Sequence, residues 1–181
     1  MSFARHPLSR WVAFALGLLA IVVASGARAD DWTFTGSGIR QKKIAFVSVD
    51  VYAISHFMKQ LPPAKSKQAV IDMDTGKKFV WTMKRDVDRD KIRSALTDAF
   101  AMNGYGDGGK IGQFLGAFQA DLKEGGVVSI VYDADRKVTT VSTGSGSATV
   151  AGVDFMRGVW SLWFGKIDQP SLGDALISRI P

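Results

Sequence analysis

Residues 127–143, VVSIVYDADRKVTTVST, set two runs of strand-forming residues three positions apart. A link this short joins only antiparallel neighbours, because a parallel crossover needs a dozen residues or more. The stretch therefore commits the chain to an antiparallel sheet with at least one hairpin. Other segments extend the pattern. DWTFTGSGIRQKK (31–43) reads as a strand in which Gly36 and Gly38 bend the backbone or leave room beside it. AFVSVDVYAISHF (45–57) reads as a second strand. Its alternation puts Val47, Val49, Val51 and Ala53 on one face, and Phe46, Ser48, Asp50, Tyr52, Ile54 and His56 on the other. Pro62 and Pro63 stop it. KKFVWTM (77–83) is a third strand, and GSGSATVAG (144–152) is a turn with a short strand.

Helical spacing alternates with these strands. Ile92, Ala95, Leu96, Ala99 and Phe100 form one stripe, with Asp88 placed to cap it and Gly104 to end it. After the YGDGGK loop, Ile111, Phe114, Leu115, Phe118 and Leu122 predict a second helix that stops at Gly125-Gly126. AKSKQAVIDMDTG predicts a short helix or extended link. VDFMRGVWSLWFG (153–165) is apolar nearly all round, which predicts a buried helix. QPSLGDALISRI closes the chain as a short helix, with Pro170 in its first turn and Ser171 near the cap. Strands joined by hairpins and mixed with helices give the α+β class with an antiparallel sheet.

The N-terminus stands apart. Arg5 and Arg10 precede the apolar run WVAFALGLLAIVVA, which is short for a membrane span, and ARA at 27–29 fits a cleavage site. Residues 1–29 are expected to be a cleaved signal peptide and 30–181 one domain. The expected compartment is the bacterial periplasm, with no stable membrane insertion after cleavage. Without that leader the chain has 20 basic and 17 acidic residues, so half of the net charge of +6 belongs to the leader and its cleavage region. No basic stripe interleaved with aromatics marks a nucleic-acid surface. There is no cysteine, and His56 is the one histidine after residue 29, so neither disulfides nor a metal site is expected. Nothing points to a cofactor.

Two polar residues are set into the first strand pair. A guanidinium such as Arg40 matches two carboxylate oxygens with a planar fork of donors and keeps its charge, and the Tyr52 phenol adds a donor. Together they suit a carboxylate. The plainer alternative pairs Arg40 with Asp50 across the hairpin and leaves Tyr52 to pack. His56 has no acidic neighbour two residues away to orient it as a base. The YGDGGK loop lacks the ending of a phosphate loop, and the Trp and Phe residues of 155–164 read as core.

Four stretches, taken in order, resemble the bacterial chalcone-isomerase-like family: GSGIRQK (36–42), the VY pair at 51–52, FVWTMKRDVDRDKIRSAL (79–96) and VDFMRGVWSLWFGKIDQPSLGDAL (153–176). The resemblance implies an open-faced β-sandwich of the chalcone isomerase type, with a ligand cleft between sheet and helices. It covers plant chalcone isomerases and fatty-acid-binding relatives. In the binders, an arginine and a tyrosine hold the fatty-acid carboxylate, and Arg40 and Tyr52 match those positions. In the enzymes, a tyrosine and an asparagine near the long helix complete the donor set. Those places fall near Asp88 and Ala95 here, and residues 84–98 contain neither residue type. The resemblance thus implies a non-catalytic binder of a small amphipathic anion, a fatty acid first among them. The alternative is an isomerase of chalcone or flavanone-type substrates.

Overall fold

The computed structural model describes residues 31–181, so the leader expected over 1–29 lies outside the described residues. Six strands form one antiparallel sheet in chain order: β1 (Thr33–Ile44), β2 (Val47–Met58), β3 (Lys77–Met83), β4 (Val127–Asp133), β5 (Val138–Ser142) and β6 (Ser147–Ala151). Helices α1 (Lys67–Asp72), α2 (Arg89–Met102), α3 (Gly108–Leu115), α4 (Val153–Phe164) and α5 (Pro170–Leu176) come between and after them.

Alternation along the strands selects the covered face. Tyr52, Ile54, His56 and Met58 of β2 are buried, as are Phe79, Trp81 and Met83 of β3 and Val128, Ile130 and Tyr132 of β4. The opposite face, with Val51, Ala53, Val80 and Val131, is half-exposed. The inward face of β2 is therefore the mixed one, and its valine-rich face looks out. Helix α4 covers the centre. Phe79 lies with its ring centroid 5.1 Å from that of Trp160 and 4.6 Å from that of Trp163. Burying each such aromatic side chain stabilises the fold by roughly 1.5–3 kcal/mol.

Asp88 caps α2 by accepting from the amides of Asp90 and Lys91. Asp107 likewise caps α3, so that helix begins inside the glycine-rich loop. It ends at Leu115, well short of Leu122. Beyond it, neighbouring groups take up the backbone polar atoms a longer helix would pair internally. Thr143 Oγ1 donates to the Ala117 carbonyl, Ser145 Oγ accepts from the amides of Gln119 and Ala120, and Val87 and Leu122 exchange backbone bonds of 2.8 and 2.9 Å. Phe118 and Leu122 are still buried, so the apolar spacing was right about burial and wrong about helix. Pro170 opens α5, but Gln169 rather than Ser171 stands at the cap.

Helix α5 lies on β1 because Gly36 and Gly38 give it room. A Cβ at Gly36 would fall 2.1 Å from the Ala175 carbonyl oxygen, and one at Gly38 would fall 2.6 Å from a Leu172 methyl. This packing also covers the outer edge of the sheet. The β1–β2 ladder slips twice, between Phe34 and Gly36 and between Arg40 and Gln41. The first slip leaves Thr35 without a partner on β2, and the second leaves Val51 without one on β1. Bulges of this kind re-aim side chains.

Candidate functional site

Arg40 and Tyr52 are register partners beside the second bulge. Tyr52 points into the core, where its ring stacks on Trp81 at 4.8 Å with an interplanar angle of 11°. Its hydroxyl accepts a 3.1 Å bond from the Trp163 indole N–H. Burial raises the phenol's pKa. The Trp163 bond and the Arg40 charge pull it down, and Asp168 pushes it up. The group remains a neutral donor.

The guanidinium of Arg40 is paired, but not with Asp50. Asp50 accepts from the Gln41 carboxamide at 2.7 Å instead, because the bulge makes Gln41 its register partner. The partner of Arg40 is Asp168, at 2.6 Å, on the segment between α4 and α5. Gln169 stands beside it. Its Oε1 accepts from the Gln41 amide at 2.9 Å and from Arg40 at 3.3 Å, and its amide nitrogen donates to the Ile39 carbonyl at 3.0 Å. Gln169 thus bonds to the edge of β1 as a neighbouring strand would. The other end of the segment is held by Asn103, which donates to the Lys166 carbonyl at 3.0 Å and accepts from its amide at 2.7 Å.

Around Arg40 the surface forms a cavity of about 290 Å³ lined by Arg40, Gln41, Lys42, Lys43, Ser48, Asp168 and Gln169. Every lining residue is polar, with three cations against one carboxylate. Behind it, the space where a ligand tail would run between sheet and helices is packed with Tyr52, Trp81, Met83 and Trp163. The cleft that the resemblance implies is closed here.

Among the described residues the Tyr52 hydroxyl hydrogen has no acceptor, and the indole N–H of the fully buried Trp81 has none either. A buried donor left unpaired costs about 1–3 kcal/mol. A guanidinium beside the spare Tyr52 donor is an arrangement that favours an anion.

His56 is a core residue. Its Nδ1 lies 2.6 Å from Thr35 Oγ1, the bulged threonine, and its Nε2 accepts from Trp160 at 2.9 Å. These bonds place the proton on Nδ1, with the Thr35 hydroxyl donating onward to the Leu176 carbonyl. Burial, helped by the charge of Lys77, lowers the pKa of the ring well below its ordinary value. Lys77 is itself buried and caps the end of α1 through the carbonyls of Val70, Ile71 and Met73. Burial lowers its pKa to about 7.

The positions near which the enzymes' donor pair was sought are not donors. The Asp88 carboxylate is engaged in the α2 cap and Ala95 is exposed. Asn103 and Tyr105 stand at the other end of α2, and both are occupied: Asn103 by Lys166, and Tyr105 by Asp154 at 3.1 Å. Sequence reasoning missed Asp168 and Gln169. The one available signal was a polar pair directly before Pro170, inside a stretch already matched to the family.

Among known proteins, the model of a family described as chalcone isomerase-like matches residues 23–176. No curated protein matches the chain. Solved structures that match include a fatty-acid-binding protein of Arabidopsis thaliana, at 15% identity and a TM-score of 0.66, over 82% of this chain and 87% of that one. The likeness is one of fold: an open antiparallel sheet covered by helices on one face.

Proposed function

This chain belongs to the chalcone isomerase-like family, and on that premise we propose that it is an exported, non-catalytic binder of a small amphipathic carboxylate, with a fatty acid as the leading ligand. Arg40 receives the carboxylate and Tyr52 donates the second bond. The observation that carries this reading is the Asp168 carboxylate seated on Arg40 at 2.6 Å, beside the unused Tyr52 donor. Arg40 already holds the chemical group it is proposed to take. Asp168 is mostly exposed, so it can return to water when a ligand arrives. The tail then follows the helix–sheet seam past Trp81 and Trp163, which must part. The fold shared with a plant protein named for fatty-acid binding supports the ligand class.

The test is a titration with saturated fatty acids of increasing chain length on wild type, Arg40→Met and Asp168→Asn. Wild type should saturate and Arg40→Met should not. Asp168→Asn should bind about fivefold tighter, the value of one removed exposed ion pair. Arg40→Met should keep its stability to within about 1 kcal/mol, because the carboxylate it releases is exposed. If neither wild type nor Asp168→Asn saturates with any chain length, the binding reading fails. For export, N-terminal sequencing should find Asp30 first. A chain starting at Met1 overturns that part.

A further inference from the structure

We propose that the β1–β2 hairpin is a docking finger for an anionic phospholipid bilayer. β2 pairs with β3 only from Tyr52 to Met58, so Val47–Asp50 has a neighbour on the β1 side alone. The ribbon of Gln41–Ile44 and Val47–Asp50 therefore runs past the end of the sheet. At its tip, Ala45 and Phe46 form a two-residue turn. Such turns favour Asn-Gly or Gly, since positive φ is hard on a side chain. Here Ala45 sits at φ 53°, and Phe46 is wholly exposed, followed by the exposed Val47. An alanine in the left-handed region and an aromatic ring in water both oppose stability. Local rules broken together mark a position kept for something outside the fold.

The charges around the tip identify the partner. Lys42 and Lys43 flank it, both exposed, and neither forms an ion pair with any described residue. Asp50, the nearest carboxylate on the ribbon, lies four residues from Phe46, roughly 13 Å back along the strand. An apolar point with a collar of free lysines matches the acyl boundary and anionic headgroups of a membrane surface. A nucleic acid would leave Phe46 and Val47 in water. No helix of the described residues is long and apolar enough to cross a membrane. Lys42, Lys43 and Ser48 of the finger also line the Arg40 cavity, so docking would set the mouth of that cavity at the headgroup layer.

The proposal does not depend on the ligand reading, and the experiment keeps them apart. The chain as processed by the cell is sedimented with vesicles of phosphatidylcholine alone and of phosphatidylcholine with phosphatidylglycerol. Wild type should bind the second and not the first, and binding should fall as salt rises. Phe46→Asp should weaken it about tenfold or more. Lys42→Gln with Lys43→Gln should weaken it about thirtyfold and erase the preference for phosphatidylglycerol. Arg40→Met should leave vesicle binding intact while removing fatty-acid binding. The substituted side chains are solvent-exposed apart from Arg40, and thermal midpoints verify that each variant is folded. The proposal is overturned if wild type ignores phosphatidylglycerol vesicles or if Phe46→Asp binds them as wild type does. It is equally overturned if Phe46→Asp only converts a dimer to a monomer, which makes the tip a contact between copies.

Discussion

The two ring nitrogens of His56 are both engaged inside the core, one by Thr35 and one by Trp160. Burial penalises a second proton on the ring, and the charge of Lys77 adds to that penalty, which is why the folded pKa is depressed. In the unfolded chain the ring titrates near 6.5. Between those two values the unfolded state binds more protons than the folded state, so stability falls as pH falls. The contribution is complete above about pH 6.5 and is lost progressively below it. Lowering the pH from 6.5 to 5.5 should cost about 1 kcal/mol, or roughly 2–4 °C in thermal midpoint for a chain of this size. The acidic residues with shifted pKa values, Asp74, Asp86 and Asp154, are all lowered and titrate below this window. Thermal melts of wild type and His56→Leu from pH 7.5 to 5 check the assignment. Above about pH 6 both proteins should share a slope from Lys77, whose folded pKa is about 7. His56→Leu should be less stable throughout but flat from pH 6 to 5, and an equal slope in both proteins over that range would assign the pH dependence to other groups.

At the scale of elements, the close contact of α5 with β1 sets the position of the segment that carries Asp168 and Gln169. Gly36→Ala should push the helix outward, because the new methyl would overlap the Ala175 carbonyl. Overpacking of this kind costs about 1–3 kcal/mol. Moving α5 also pulls on Gln169, so fatty-acid affinity should fall with stability. Gly106→Ala is the control, since a Cβ there meets nothing within 4 Å. A Gly36→Ala protein with wild-type stability and affinity would mean that α5 does not fix the site. The same elements show what was legible beforehand. β3 and β4 begin and end where their period-two runs do, since each strand's burial follows its own alternation. The end of α3 was not legible. Residues 116–122 carry helical spacing, but hydroxyls from the turn between β5 and β6 and the backbone of Val87 take their polar groups. Those partners are remote in sequence, so a local pattern does not contain them.

For the whole molecule, the same separation between local and remote information decides what the site can do. Arg40 and Tyr52 could be singled out because they share a hairpin, whereas Asp168 reaches Arg40 only after every strand and four helices have been laid down. That late arrival bears on catalysis. Closing a hydroxychalcone ring needs a positive site that favours the phenolate and free donors for the charge developing on the enolate. Asp168 offsets the Arg40 charge, Asn103 and Tyr105 are bonded elsewhere, and Asp88 serves a helix cap. We therefore expect hydroxychalcone cyclisation by the purified protein to proceed at the spontaneous rate with no stereoselectivity. Asp168→Asn should free the Arg40 charge and raise fatty-acid affinity, yet still give no cyclisation, because the donor pair near the long helix remains missing and such groups act as a unit. Progress curves followed by chiral analysis of the flavanone decide the matter. Stereoselective product from wild type would show that the closed seam opens around a chalcone and recruits donors that are bonded elsewhere in this state. Stereoselective product from Asp168→Asn alone would make Asp168 the group that holds a latent isomerase in check.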